Sequence, residues 1–183
     1  MSNEHLKTEI ERKFIVMPPA MPSLAETEYI NCRSGFIQGI DGENIIRFRE
    51  EQRIRNTAGN VEHLGKRYFI SAKFEDGLVR TKMEVEIDEA TFKLHCNSLQ
   101  SALQKKRYWL PYGDKTIELD VFEGNRLNGL IIAEVKFATT EEAANFAPPI
   151  WFGKEVTEDV LYTGRMLSGT QTFTELASGA TVL

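Results

Sequence analysis

Charged residues recur at every second position in five separate stretches of this chain. Thr8-Glu-Ile-Glu-Arg-Lys-Phe-Ile-Val16 sets Glu9, Glu11 and Lys13 on one parity, and Ile45–Arg49, Met83–Ile87, Ile117–Val121 and Ala133–Phe137 repeat the beat. A strand sends alternate side chains to opposite faces, so each stretch separates charges from mostly aliphatic or aromatic residues. An open antiparallel sheet would turn its charged face to water. A solvated face normally mixes Lys, Glu, Thr, Ser and Gln, whereas here acids and bases recur in close i, i+2 sets. The pattern points to a closed barrel with a charged lumen and an apolar outer face covered by helices. Acids and bases facing one another across such a lumen neutralise each other and leave room for a metal ion and a polyanion.

The 183 residues suit one domain, 1–183, with a sizeable core. An apolar content of 42% lies slightly below the usual range, as a partly polar interior requires. The formal net charge of −5, with no dominant basic stretch, argues against a nucleic acid polymer as partner and leaves space for a local basic pocket. Cys32 and Cys96 lack the paired spacing of a zinc site or disulfide framework, and His5, His63 and His95 are scattered. No basic segment precedes an apolar core at the N-terminus, and no apolar run approaches the ~18 residues of a membrane span. The expectation is a cytoplasmic protein without a membrane partner, which could pair as a homodimer.

Strands are expected near 8–16, 28–38, 43–51, 66–74, 78–87, 105–111, 115–122 and 130–138. Asp76-Gly77 is a two-residue hairpin signal, Tyr112-Gly-Asp114 a second turn, and Asn56-Thr-Ala-Gly-Asn60 a longer loop. Asp88 is placed to cap a helix reaching about Leu103, with Phe92, Cys96, Leu99 and Leu103 on one stripe. Thr139 or Thr140 opens a short helix that Pro148-Pro149 stops. Thr157 is a candidate cap for a C-terminal helix carrying Val160, Leu161 and Leu167, weakened by Gly164. The strands and first helix occupy 8–138, the C-terminal helical segment 139–170, and a tail 171–183. The fold class is α+β, an eight-stranded antiparallel β-barrel with helices packed outside.

The inward parity also makes chemical sense. Arg47 and Arg49 set two guanidinium forks on one strand face, suited to phosphate oxygens, and Lys13, Lys73, Lys105 and Arg107 would complete the cradle. Glu9 and Glu11 are hard oxygen ligands of the kind that Mg²⁺ or Mn²⁺ shares with phosphates and water.

Glu9-Ile-Glu-Arg-Lys13 resembles the Glu-x-Glu-x-Lys signature of the CYTH superfamily, the triphosphate tunnel metalloenzymes. Arg47-Phe-Arg49 resembles that family's Arg-x-Arg strand, and Ser71-Ala-Lys73 the strand ending in a phosphate-binding lysine. Arg80 with Glu84-Val-Glu86, Lys105-Lys-Arg107, Glu118-Leu-Asp120 and Ala133-Glu134-Val follow in the family's order. Pro149-Ile-Trp-Phe-Gly-Lys-Glu-Val-Thr157 resembles its closing segment, whose helix plugs one tunnel mouth in short bacterial members. The resemblance spans Thr8 to about Leu167. It implies an eight-stranded tunnel acting on a small-molecule triphosphate with a divalent cation. Glu9, Glu11, Glu134 and Asp120 are then candidate metal ligands. Glu9, Glu11, Lys13, Glu84, Glu86 and Asp120 are candidate catalytic groups, the last three balancing charge, holding a second ion or orienting water.

The expected activity is metal-dependent hydrolysis of inorganic triphosphate to diphosphate and phosphate. Cyclisation of ATP as in class IV adenylate cyclases, hydrolysis of thiamine or nucleoside triphosphates, and non-catalytic polyphosphate or nucleotide binding are the alternatives. The chain departs from the family at Glu134-Val-Lys136, where Glu-x-Glu is usual, at Arg33 in place of Gln and at Phe36 in place of Tyr. Lys136 is expected to pair with Glu134 or an opposing acid, or to reach a phosphate.

Overall fold

The computed structural model describes residues 6–169 apart from 26, 39–44, 58, 75–76, 97, 100 and 125–126. The 171–183 tail and Asp76 of the first expected hairpin lie outside the described residues. Among the described residues nine strands form one antiparallel sheet: β1 (Leu6–Val16), β2 (Tyr29–Gln38), β3 (Ile45–Thr57), β4 (Asn60–Phe74), β5 (Val79–Ile87), β6 (Ser101–Tyr112), β7 (Lys115–Glu123), β8 (Ile131–Phe137) and β9 (Phe152–Glu155). Their order is β5-β4-β3-β2-β6-β7-β8-β1-β9, and a further β5–β1 pairing closes the first eight into a barrel. Among the described residues three short helices, α1 (Glu89–Cys96), α2 (Thr140–Asn145) and α3 (Gly164–Ser168), accompany it.

The barrel is apolar outside. On one side Phe14, Leu119, Ala133, Val135 and Phe137 pack with Ala143 of α2 and with Trp151 and Phe152 of the closing segment. Phe14 and Phe152 lie with ring centroids 4.7 Å apart, and Phe137 meets Phe146 edge-on at 5.3 Å. On the other side Phe48 and Tyr68 are covered by Phe92 of α1. A third cluster lies inside one end of the barrel: Phe36, Leu103, Phe122 and Ile132 receive Tyr162 and Leu167 of the C-terminal segment. That end is plugged by apolar side chains, α3 being fixed there by the Ser101–Ser168 hydroxyl pair at 2.9 Å.

Several expectations need correction. Asp88 does cap α1, its Oδ1 accepting from Thr91 N at 2.7 Å, but the helix ends at Cys96 rather than near Leu103. Ser101, Ala102 and Leu103 instead pair with Phe36, Gly35 and Ser34 of β2, three ladder rungs that a longer helix would forfeit. Leu99 then lies across Gly35, where an added Cβ would sit 2.3 Å from Leu99 Cδ1, so only glycine fits this approach. The segment 56–60 is no long loop: β3 and β4 pair out to Thr57 and Asn60, with Gly59 turning at φ 84°. Sequence alternation hides this extension because the added rungs join polar residues such as Arg55 and Glu62. Thr157 caps nothing. Asp159 caps a 3₁₀ turn over Val160–Tyr162, and Thr163 caps α3, with Val160 and Leu161 exposed. The four-residue β9 is too short to announce itself in sequence.

The outer clusters carry the burial, so Phe14→Ala is expected to cost about 3–5 kcal/mol, and Phe14→Leu under about 1.5 kcal/mol. Urea unfolding of the two variants measures the difference.

Candidate active site

Antiparallel register turns the sequence beat into a lumen. Odd-numbered residues of β1, β3, β4 and β6 and even-numbered residues of β2, β5, β7 and β8 line a cavity of about 370 Å³. Its lining, among the described residues, contains ten Lys or Arg and four Asp or Glu side chains. Opposite charges often meet across a rung: Glu9 faces Arg80, Glu11 faces Lys136, Lys13 faces Glu134, and Arg107 faces Asp120.

Two networks fill the middle. In the first, Arg107 donates to Asp120 Oδ1 and Oδ2 at 2.7 Å each and to Glu134 Oε2 at 2.8 Å, and also contacts Glu118. Lys105 contacts Asp120, and Lys136 donates to Glu118 Oε1 at 2.8 Å. Burial opposes charge on Arg107, yet Asp120, Glu118 and Glu134 outweigh it and hold its pKa well above the ordinary value. Burial likewise opposes charge on Glu134, but Arg107, Lys13, Lys105 and Arg80 hold its carboxyl well below the usual range.

In the second, Glu84 bridges Arg47 at 3.2 Å, Arg49 at 3.1 Å and Lys82 at 2.9 Å. Glu9 lies 3.4 Å from Arg80, 3.7 Å from Lys82 and 3.9 Å from Lys73. Burial alone would raise Glu9's pKa, and the surrounding Lys73, Lys82, Lys136 and Arg80 lower it below 4.5. Burial, with Arg49 adding repulsion, brings Arg47 down to about 10. Burial and the neighbouring Arg47 bring Lys73 down to about 7, although its side chain remains about one-third exposed.

Glu9, Glu11, Lys13, Arg47, Arg49, Lys73, Lys105, Arg107, Asp120 and Glu134 therefore converge on one lumen. Glu84 joins them through its three bases. Glu86 does not: it pairs with exposed Arg67, and both side chains are at least half in solvent. Among the described residues the outermost β1–β5 rung is Leu6 with Met83. Arg33 is exposed, while Phe36 belongs to the plugged end. Lys82 and Lys136 also line the cavity. Lys82 was legible as part of the parity of Arg80 and Glu84. The role of Thr157 was not. Its Oγ1 accepts from Lys13 N at 3.0 Å and donates to Glu155 Oε1 at 2.7 Å, and Glu155 in turn holds Arg12.

The lumen offers hard carboxylate oxygens to a cation. Glu11 is 1% exposed, and its Oε1 is in ionic contact with Arg80 and Lys13 without a well-directed hydrogen bond. Among the described residues no three Asp, Glu, His or Cys side chains converge into a protein-only cage. The donor set therefore fits a cation held by one or two carboxylates together with phosphate oxygens, the mode in which Mg²⁺ is usually bound.

A closed eight-stranded tunnel with a charged lumen is the architecture of the triphosphate tunnel class that the sequence resembles. The chain is 35% identical over 164 residues to an inorganic triphosphatase of Nitrosomonas europaea, covering 88% of this chain and 97% of that protein. It is 32% identical over 154 residues to an inorganic triphosphatase of Acetivibrio thermocellus, covering 84% and 88%. The crystal structure of an inorganic triphosphatase superposes with a TM-score of 0.60 at 32% identity, over 90% of this chain and 96% of that one. A putative adenylate cyclase from Bacillus halodurans, at 14% identity and a TM-score of 0.51, covers 76% of this chain and 86% of its own, a likeness of fold alone. No family model matches the sequence. The chain belongs to the inorganic triphosphatase family.

Glu84 yields a stability prediction. Burial would raise its pKa, but Arg49, Lys82 and Arg47 bring it from 4.5 to about 2. A carboxylate depressed on folding stabilises above its unfolded pKa, and that contribution is lost as pH falls through the folded value. Glu84→Gln is expected to cost about 3 kcal/mol at pH 7. Its deficit against the wild type shrinks as pH falls from about 4.5 toward 2, followed by urea unfolding across that range.

Proposed function

We propose that this chain hydrolyses inorganic triphosphate to diphosphate and phosphate inside the tunnel, with Mg²⁺ or Mn²⁺ as cofactor. The observation that carries the reading is the ten bases against four acids lining a cavity of about 370 Å³. Such an excess inside a barrel suits a small polyanion, and the plugged end favours one without a bulky organic group. The relatives named inorganic triphosphatase support the same substrate.

Arg47 and Arg49 present forks on one strand face, and Lys13, Lys73, Lys105 and Arg107 surround the same space. Together they hold the phosphates in line for attack by water on a terminal phosphorus. Their carboxylate partners keep the cations fixed before substrate arrives, so little reorganisation is needed as charge moves to the departing diphosphate oxygen. A divalent cation held by one or two of the carboxylates Glu9, Glu11, Glu134 and Asp120, together with phosphate oxygens, would neutralise phosphate charge and polarise the phosphorus.

Phosphate release from triphosphate, ATP and thiamine triphosphate, with Mg²⁺, with Mn²⁺ and with chelator, tests the reading. A parallel assay for cyclic AMP tests cyclisation. Triphosphate should be the preferred substrate, and the chelator should stop turnover. Binding without turnover under all metal conditions would defeat the proposal. Glu11→Gln is expected to abolish turnover, by at least about a hundredfold, while circular dichroism shows the barrel intact. Retention of full Mg²⁺-dependent hydrolysis would remove Glu11 from the metal site.

The low pKa of Lys73 sets a pH dependence. A lysine at about 7 is half neutral there, and the negative charge of a bound phosphate pulls its proton affinity up. Binding thus takes up a proton, and KM for triphosphate should rise as pH increases from about 7 to 9. Arg at this position stays charged, so Lys73→Arg should flatten the rise in a KM profile over that range.

A further inference from the structure

Ten basic side chains line the cavity, and nine of them touch at least one carboxylate. Arg165 is the exception: among the described residues its guanidinium has no acidic partner and no hydrogen-bond acceptor. It is carried not by the barrel but by α3, the helix of the C-terminal segment. That helix is well anchored. Thr163 caps it by accepting from Met166 N at 3.3 Å, and Leu167 packs into the apolar end. Ser168 is fully buried, bonding Ser101 at 2.9 Å and Arg165 O at 2.6 Å. Gly164 beside it comes close to Phe36, where a Cβ would stand 3.4 Å from the ring. The backbone of Arg165 is therefore held at the plugged end, where the residue is exposed, lines the cavity and has no acidic partner among the described residues.

We propose that Arg165 is a substrate-binding residue that receives the terminal phosphate of the polyanion at the plugged end. This rests on the triphosphatase reading and adds a contact from outside the strands. The barrel bases must share their donors between a carboxylate and a phosphate. Arg165 gives up no protein partner when phosphate arrives, so a larger share of its interaction appears as affinity. Because it is carried by the anchored C-terminal segment, it also fixes how deep the triphosphate sits.

The test compares wild type with Arg165→Ala and Arg165→Lys in triphosphate hydrolysis with Mg²⁺, together with thermal unfolding. Arg165→Ala should raise KM about tenfold with kcat within about twofold, and Arg165→Lys should recover part of the loss. Thermal stability should not change, since the guanidinium makes no ion pair or hydrogen bond among the described residues. An unchanged KM in Arg165→Ala, or a fall in kcat alone, overturns the inference and leaves the triphosphatase reading standing. A wild type that releases no phosphate overturns that reading instead. Calorimetric titration with inorganic triphosphate then decides the inference by itself: weaker binding by Arg165→Ala supports it, and equal binding refutes it.

Discussion

The constraint on which the structure depends is charge pairing in a closed lumen. Glu11 and Asp120 are each 1% exposed, and an isolated carboxylate so placed would cost several kcal/mol. Neither is isolated: Arg80 and Lys13 hold Glu11, and Arg107 and Lys105 hold Asp120. The pairings come from neighbouring strands, so they tie the electrostatics to the register. A slip of one residue anywhere would turn charges into the outer apolar clusters and Phe14 or Leu119 into the lumen. The acids and bases that charge the lumen therefore also specify the alignment of the strands that build it.

β1 is where this constraint is most exposed to failure. It carries Glu9, Glu11 and Lys13, yet one of its edges changes partner halfway. Among the described residues β5 pairs with it from Leu6 to Ile10, and β9 meets it again at Phe14. Between them, Leu78 O accepts from Glu11 N at 3.0 Å, and Lys13 is held on both sides of its peptide by Thr157 and Val156. Lys13 N donates to the Thr157 hydroxyl, and Val156 N donates to Lys13 O at 2.8 Å. Outside, Arg12 ties the same stretch to Glu155 and to the carbonyls of Ala143 and Phe146. The closing segment thus supports the strand bearing the acidic pair before it continues into the plug.

Much of this was legible in sequence because it follows from parity. The period of two in Glu9-Ile-Glu-Arg-Lys13, Arg47-Phe-Arg49 and Glu118-Leu-Asp120 separates lumen from outer face without any tertiary information. Asp88 and Thr139 likewise announced their helices, since a cap is a local device; Thr139 Oγ1 does accept from Glu142 N. What could not be read depends on partners far along the chain. Leu103 fits a helical stripe as well as a strand, and only the free edge of β2 decides between them. Thr157 looks like any helix cap until the gap beside β1 is known. Glu86 shares the parity of Glu84, but its partner is exposed Arg67 rather than a lumen base, a choice that parity alone does not reveal.

Lys136 shows how a change of charge sign is accommodated in such a lumen. By register it stands opposite Glu11, but its ammonium reaches Glu118 on β7 at 2.8 Å, the same carboxylate that Arg107 contacts. It therefore does not stand uncompensated where a cation would bind. Nearly half exposed, it sits in a region where water screens its charge. Its charge still reaches Glu9, contributing with Lys73 and Lys82 to keeping that carboxyl ionised. Lys136 thus acts on two acids at once, pairing with Glu118 at short range and lowering the pKa of Glu9 from farther off. Burial alone would raise Glu9's pKa, and Lys73, Lys82, Lys136 and Arg80 together reverse that, so a lysine in this lumen is held by one carboxylate and helps to keep another ionised.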